Sequence, residues 1–379
     1  MERLLGSAVE YLDPDRFESM ILLREGGPLL AHYQRFAATH LYTPPAVPPR
    51  RRFARLRHRG RRTAAAPADP LEGWARKVVT GFDPHVIVFH HSVEIPRYTP
   101  LADLGVPTIQ TFTQHWSMMS TYSEAWLETL ASRTHYQCEG QTSVANARFL
   151  LGIPEDRISV FCIGPDQPER DRQLADPARP RRADLGIPDD ALVVCTVGNL
   201  GISKGADIWL RAAAELRRRR PDVPWRFLWV GGSEAQWNGV RGQVLHRIVA
   251  DLDLADVVTF VPQVRNVFAY GAMADIYVQP SRDDAFPGAT LEAMSMAKPV
   301  VSFPIGIGAE PAAIDALVRV DVIGPVALAD GIERLAEDPV LRTRLGEAGR
   351  RLVDEQYEIR DVVRRYGELI ESVVARGLD

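Results

Sequence analysis

Ser281-Arg282-Asp283-Asp284-Ala285-Phe286-Pro287-Gly288-Ala289-Thr290-Leu291-Glu292-Ala293-Met294 lies between two apolar runs, Asp275–Gln279 and Pro299–Phe303. The runs read as strands. The stretch between them reads as a loop at the carboxyl end of one strand, followed by a helix that leads to the next. Open α/β sheets bind ligands at that place. The loop brings two carboxylates, Asp284 and Glu292, with seven residues between them. The amides that open the helix lack internal partners and suit an anion. Carboxylates that accept sugar hydroxyls, beside amides that accept phosphate, are what a nucleotide-sugar site requires.

The rest of the chain fits such a sheet. Apolar strand-like runs alternate with helical ones almost throughout, which implies parallel sheets covered on both faces. In the first half the strands are expected at Glu18–Leu23, Val86–Phe89, Thr108–Phe112, His135–Cys138 and Ile158–Cys162. Helices are expected at Leu71–Thr80, Ser123–Ser132 and Ser143–Leu151. In the second half the strands are Leu192–Val197, Arg226–Val230, Val257–Val261, Asp275–Gln279 and Pro299–Phe303. Gly205–Arg220, Ala235–Leu252 and Ala289–Ala297 read as helices between them. The charged, Pro-rich segment Pro165–Arg182 reads as a linker. The tail Arg360–Arg376 carries apolar residues at helical spacing and should close the structure as a helix. The expected domains are residues 1–170, residues 183–355 and a closing helix, 356–379, packed back toward the first domain.

Composition sets limits. The chain has 379 residues, 46% hydrophobic and 25% charged, with a net charge of −4. These are values of a globular protein, and they argue against wholesale nucleic-acid binding. Cys138, Cys162 and Cys195 all fall in apolar runs, without metal-ligand spacing, and read as buried free thiols of a reducing compartment. The chain has no apolar run of the roughly 20 residues that a bilayer span needs. It opens without a signal-peptide pattern. The expected location is cytoplasmic. Arg50–Arg62 contains eight arginines around Phe53 and Leu56. A charge run of this kind is commonly a solvated loop. The sharper reading is peripheral contact with anionic lipid at the inner membrane face, at about 1 kcal/mol per basic residue.

A second loop supports the first. Val193-Val194-Cys195-Thr196-Val197-Gly198-Asn199-Leu200-Gly201-Ile202-Ser203-Lys204-Gly205 is a strand, a glycine-containing turn and a lysine at the start of a helix. Such a lysine can meet a diphosphate together with the positive end of the helix dipole. The glycine spacing is not that of a Walker A loop.

Ser281–Val301 resembles the "E-G-F-P-x-x-x-L-E-A-M-x-x-x-x-P-V-V" segment of glycosyltransferase family 4, the retaining GT-B enzymes. Gly198–Gly205 resembles that family's "G-R-L-x-x-x-K-G" loop. Trp229-Val230-Gly231-Gly232 resembles its "V-G-x-G" strand end, and Phe260–Ser281 its "F-x-G-x-V … A-D-x-x-V-x-P-S" run. The resemblance covers nearly all of the second half and is weaker in the first.

It implies an α/β GT-B fold, with two Rossmann-like domains facing across a cleft. It implies a metal-independent glycosyltransferase that moves a sugar from a nucleotide-diphosphate sugar to a glycan or lipid-linked acceptor, with retention of configuration. The donor is a co-substrate, and no further cofactor or metal is expected. The resemblance also implies roles at matched positions. Asp284 would hold donor-sugar hydroxyls, Glu292 the ribose and Lys204 the diphosphate. Gly198, Phe286, Pro287, Gly288, Thr290 and Arg282 would complete the donor site. A histidine near the reacting sugar would be His115, with His91 next and His90 after it as acceptor-side residues.

The chain also departs from the pattern. Asp284 stands for a glutamate, Asn199 for an arginine, and Ile163-Gly164-Pro165-Asp166 for "N-G-V-D". Met1 immediately precedes a helix, Glu2-Arg3-Leu4-Leu5, that in the family follows a strand and a Gly-Gly turn. The expectation is a first domain without its first strand. Two other activities fit the same site: a nucleotide-sugar epimerase of this fold, and a sugar-nucleotide-binding protein without turnover.

Overall fold

The computed structural model describes residues 8–23, 29–42, 70–90, 101, 104–113, 127–128, 131–162 and 164–377. The expectations for Glu2–Leu5, Arg50–Arg62, His91, His115 and Ile163 fall on residues outside that set. The chain divides into two compact units. The first holds Met1–Thr111, Glu124–Tyr136 and Gly367–Asp379; the second holds Phe112–Ser123 and Gln137–Tyr366.

In the first half, β1 (Met20–Leu23) and β2 (Ala38–Leu41) pair in parallel around the helix Leu30–Phe36. β3 (Ile87–Phe89), β4 (Thr108–Phe112), β5 (His135–Cys138) and β6 (Ile158–Val160) form a sheet in that order. The helix Pro70–Phe82 places Leu71, Ala75 and Val79 on one stripe, four residues apart, and buries them. Ala75 and Val79 pack with Phe89 and Leu101, and Met20, Leu22 and Ile87 join the cluster. A fourfold spacing on one face is what an amphipathic helix against a sheet requires.

The second unit contains a six-stranded parallel sheet. Its strands are β7 (Leu192–Val197), β8 (Trp225–Val230), β9 (Val258–Val261), β10 (Ile276–Gln279), β11 (Val300–Ser302) and β12 (Val318–Arg319). Their spatial order is β12-β11-β10-β7-β8-β9. The chain runs outward from β7 to β9, returns to the other side of β7 with β10, and runs outward again. The turning point therefore lies between β7 and β10, which pair at Ile276↔Val194 and Tyr277↔Cys195. That is the topological switch point of a doubly wound sheet.

The core of this unit lies between the sheet and the helices Ala206–Arg219 and Pro325–Glu337. Trp209 sits edge-on to Trp229 at 5.5 Å and to Phe227 at 5.8 Å, all of them buried. Each buried ring removes a large apolar surface from water.

Two expectations are corrected, and one strand is added. Pro165–Arg182 is not a bare linker: it contains the helix Gln167–Ala175. Asp166 caps that helix by accepting from the Glu169 amide at 2.8 Å, and Pro168 stands in its first turn, where proline is favoured. Its Arg170 is buried and donates to the Ser295 carbonyl at 2.9 Å. The helix expected at Ala235–Leu252 is two, Glu234–Asn238 and Val240–Asp251, divided by the extended Gly239. β12, of two residues, was too short to read from the sequence. The tail helix runs Ile359–Arg376, and all three cysteines are buried and free.

Candidate functional site

β7 and β10 are neighbours, so the loops that leave their carboxyl ends are neighbours too. The first, Gly198–Gly205, is held by tryptophan: Trp229 Nε1 donates to the Gly198 carbonyl at 3.0 Å. Gly205 ends it at φ +74, and a Cβ there would come 1.9 Å from the Pro280 carbonyl oxygen. Only glycine allows both the left-handed backbone and that approach. The second loop is the stretch from Ser281 to Gly288.

Lys204 and Asp284 meet where the loops touch. Lys204 Nζ lies 2.5 Å from Asp284 Oδ2. The same oxygen accepts from Ser281 Oγ at 3.2 Å and from Gln279 Nε2 at 3.3 Å. Gln279 in turn accepts from Thr290 Oγ1 at 3.0 Å. Asp284 and Thr290 are buried, whereas Lys204 is partly exposed. A continuous chain of polar groups thus runs from the helix Gly288–Ser295 to the lysine. It fixes the carboxylate and leaves one face of the cation toward solvent.

Gly288 is exposed, and the space around its Cβ position is open for 4 Å. The helix that starts there has no side-chain cap. Its first amides, at Gly288 and Ala289, follow Asp284 on the same loop, and a helix start of this kind suits an anion. Glu292 lies one turn further on and is half-buried.

Other residues singled out in the sequence have different surroundings. Arg282 forms a two-pronged pair with Asp207, at 2.9 and 2.5 Å, and donates to the Ile202 carbonyl at 3.1 Å. Burial alone would raise the pKa of Asp207. The bonds and charge of Arg282, with Arg241 nearby, outweigh it and hold the carboxyl below its usual value. Arg282 thereby joins the two loops. Thr290 directs its hydroxyl inward, to Gln279, and its amide to the Pro287 carbonyl at 3.0 Å. Phe286 is buried, with its ring 5.6 Å from that of Tyr357. Asn199 accepts from the Gly201 amide at 2.8 Å and shapes its own turn. His90 closes β3, its Nδ1 3.4 Å from Thr111 Oγ1.

Two residues were missed in the sequence. Arg241 donates Nε to the Leu200 carbonyl at 3.0 Å and stands 3.8 Å from Asp207. Glu139 follows β5 directly and is 7% exposed. Burial pushes its carboxyl up to about 7; the charge of Asp284 acts in the same direction and Lys204 against it. A charged residue immediately after a strand and before a glycine was the available signal, since strand ends carry sites in such sheets. Gly140 is the next residue, and a Cβ on it would come 2.5 Å from Glu310 Oε1 and 2.6 Å from the Phe286 ring. The turn after β5 thus lies against the loop that carries Asp284. Among the described residues, no group of three or more ligating side chains could hold a metal ion.

Residues 191–338 match the family described as "Glycosyl transferases group 1". Over those residues the chain is similar to this family. The match covers the sheet from β7 to β12 and both loops of the site. D-inositol 3-phosphate glycosyltransferase of Corynebacterium diphtheriae is 32% identical over 65% of this chain and 61% of its own length. The enzyme of that name from Acidothermus cellulolyticus is 36% identical over 52% of this chain and 44% of its own. The chain spans between 39% and 61% of the length of the curated relatives compared.

Among solved structures, a glycosyltransferase of Rickettsia africae superimposes with a TM-score of 0.77 at 14% identity, over 98% of this chain and 94% of the other. Anabaena HepE, solved in complex with UDP, does so with a TM-score of 0.75 at 16% identity, over 98% and 96%. At these identities the likeness is one of fold, and the fold is GT-B.

Proposed function

We propose that this protein is a retaining, metal-independent glycosyltransferase that uses a nucleotide-diphosphate sugar. The observation that carries the reading is the Lys204–Asp284 pair at 2.5 Å, set at the switch point on the loop that leads to the open helix start at Gly288. The family match over residues 191–338 supports it, as does the UDP bound by HepE.

The diphosphate would lie on the amides of Gly288 and Ala289, with Lys204 beside it. When the bond between the sugar's anomeric carbon and the diphosphate breaks, negative charge grows on the departing oxygen. A fixed cation and fixed amides stabilise that charge without having to reorganise. The acceptor's hydroxyl oxygen forms the new bond to the anomeric carbon. Its proton passes to the released diphosphate or to solvent. Asp284, held by Ser281 and Gln279, presents a rigid acceptor to a sugar hydroxyl and keeps Lys204 in place. Glu292 would accept from the ribose. The acceptor carries a hydroxyl group; the names of the relatives suggest a polyol phosphate as one candidate, beside glycans and lipid-linked sugars.

The test is a thermal-shift screen with UDP-, GDP- and ADP-sugars, followed by turnover with and without an acceptor. A donor at a hundredfold its Kd should add about 2.7 kcal/mol of stability. Release of nucleotide together with a glycosylated product of unchanged anomeric configuration is the expected outcome. A sugar isomerised without acceptor, or binding without turnover, would replace this reading by an epimerase or a binding protein.

A further inference from the structure

Two buried polar groups of the first unit border Phe89, and no described residue serves them. Arg133 stands in the turn that leads into β5 and is 0% exposed. Its guanidinium lies over the Phe89 ring, 4.3 Å from the centroid. The ring covers one face of the cation and takes none of its N–H groups. Nε, Nη1 and Nη2 all lack a hydrogen-bond partner among the described residues. Phe89 itself packs with Ala75, Val79 and Leu101, so the surroundings are apolar. Gln110, on β4, is the register partner of Phe89 and is as deeply buried. Its Nε2 donates to the Phe89 and Thr111 carbonyls at 3.0 and 2.8 Å, and its Oε1 has no partner. Turning the amide over would set its oxygen against two carbonyls, so its orientation is fixed.

We infer that Arg133 and Gln110 form a buried site for a small oxyanion that keeps a proton, hydrogen phosphate being the plainest case. The anion's oxygens take the guanidinium donors, and its O–H serves Gln110 Oε1. The site does not depend on the nucleotide-sugar reading: its residues lie in the first unit, and the donor loops lie in the second.

Three features carry it. The first is cost. A guanidinium keeps its charge, so Arg133 cannot escape burial by losing a proton. A buried charge without a partner is strongly destabilising. The second is rigidity. The Arg133 amide donates to Tyr136 Oη at 3.0 Å. Thr134 Oγ1 accepts from the Thr108 amide at 3.1 Å, and the Thr134 amide donates to Thr108 Oγ1 at 3.0 Å. The backbone that carries the guanidinium is thereby pinned to β4. The third is complementary demand. Arg133 offers a planar fork of donors, which matches the edge of an oxyanion. Gln110 Oε1 can only accept, and it does not take a bond from Arg133. A halide or sulfate would answer the cation and leave Oε1 unserved; an oxyanion with a proton answers both.

Hydrogen exchange of the full chain, read by mass spectrometry in β3 and β4, tests the assignment. The probes are sodium phosphate, sulfate and chloride, at ionic strength held constant with gluconate. At neutral pH phosphate carries a proton and sulfate does not. Once the site is saturated, each tenfold rise in phosphate should slow exchange in β3 and β4 about tenfold, since an ion bound only to the closed form acts by mass action. Sulfate should protect several-fold less, and chloride less again. Arg133→Met should abolish the phosphate response yet fold, because an apolar side chain commonly replaces a buried charge without loss. Arg133→Lys keeps the charge without the fork and should retain part of the response. Gln110→Met should bring phosphate down to the level of sulfate. The assignment is overturned if phosphate protects wild-type β3 and β4 no better than gluconate, if sulfate protects as well as phosphate, or if Arg133→Met responds like wild type. Should the methionine variant fail to fold, the ranking of phosphate over sulfate in the wild type decides alone. The reading is confined to β3 and β4 because phosphate at the donor loops would protect strands of the second unit.

Discussion

β7 and β5 are both buried, and they are built from opposite materials. β7 is Leu-Val-Val-Cys-Thr-Val and lies beside β8, Trp-Arg-Phe-Leu-Trp-Val. β5 is His-Tyr-Gln-Cys, and β4, in the first-half sheet, is Thr-Ile-Gln-Thr-Phe, with every residue of both buried. In the β7–β8 region burial of apolar surface is the stabilising term, and polar groups of the site are left to the loops. In β4 and β5 the polar side chains go inside and take up carbonyls. Gln110 donates Nε2 to the Phe89 and Thr111 carbonyls at 3.0 and 2.8 Å. Gln137 donates to those of Phe161 and Cys138 at 2.5 and 3.2 Å. Buried amides of this sort contribute little net stability, yet are costly to leave unmatched. The difference teaches where each region is sensitive: the apolar sheet to lost volume, the polar strands to lost partners and to protons.

The largest effect should come from volume. Trp209→Ala removes a ring packed on Trp229 and Phe227, and should cost about 3–5 kcal/mol. Urea unfolding measures it. A loss under about 1 kcal/mol would mean that the apolar sheet does not depend on this core, and the contrast with β5 would fail.

The next effect is one of protons. Glu139, at the end of β5, has its carboxyl raised to about 7 by burial, against an ordinary value of 4.5. Between those pH values the folded state keeps a proton that the unfolded chain has released. The unfolded state then binds fewer protons, so stability falls as pH rises through that window. The loss attributable to this group is up to about 3 kcal/mol and is complete above the folded value. Glu139→Gln should flatten the difference between pH 5 and pH 8 in denaturant midpoint. An unchanged slope in the variant would show that this carboxyl titrates as if in water.

The loops of the apolar sheet should behave differently from its strands. Lys204→Ala removes a charge-assisted partner for a diphosphate, a loss of about 1.5–3 kcal/mol from the transition state, or roughly 10–100-fold in turnover. Lys204 is partly exposed, so its removal should change the unfolding midpoint much less. Transfer at the wild-type rate would remove it from the site. Stability lost in proportion to rate would make it a structural residue.

How much of this was legible follows from the same contrast. β7, β8, β10 and β11 could be read because apolar runs broken by glycine and proline leave little choice of structure. The Lys204–Asp284 encounter was legible only as two loops, each with a charged residue; the order β10-β7 is what joins them. Arg282 was read as a cation for the donor, but its proximity to Asp207, 75 positions away, is a tertiary fact that no local pattern contains. Glu139 was overlooked because a single carboxylate after a short polar strand resembles any solvated turn. The helix Gln167–Ala175 was hidden by prolines and charge, although Asp166 and Pro168 are its start signals.

The smallest effect tests the polar strands themselves. Gln137→Leu keeps a side chain of similar size at a buried position and deletes the amide that reaches the Phe161 and Cys138 carbonyls. The hydrophobic gain of the leucine opposes the cost of a carbonyl without its donor. Cys138 O also accepts from the Phe161 amide at 3.0 Å, so it keeps one partner. The Phe161 carbonyl is the group exposed to loss. A net destabilisation of about 1 kcal/mol is expected, at the low end for a buried unpaired group. An equally conservative change in the apolar sheet, Val194→Ile or Val194→Leu, adds volume without touching a polar partner and should fail, if it fails, by overpacking. If Gln137→Leu instead stabilises the protein, the amide is not needed by the carbonyls it meets. β5 would then be an apolar strand with a glutamine in it, and its likeness to β7 would be greater than its sequence suggests.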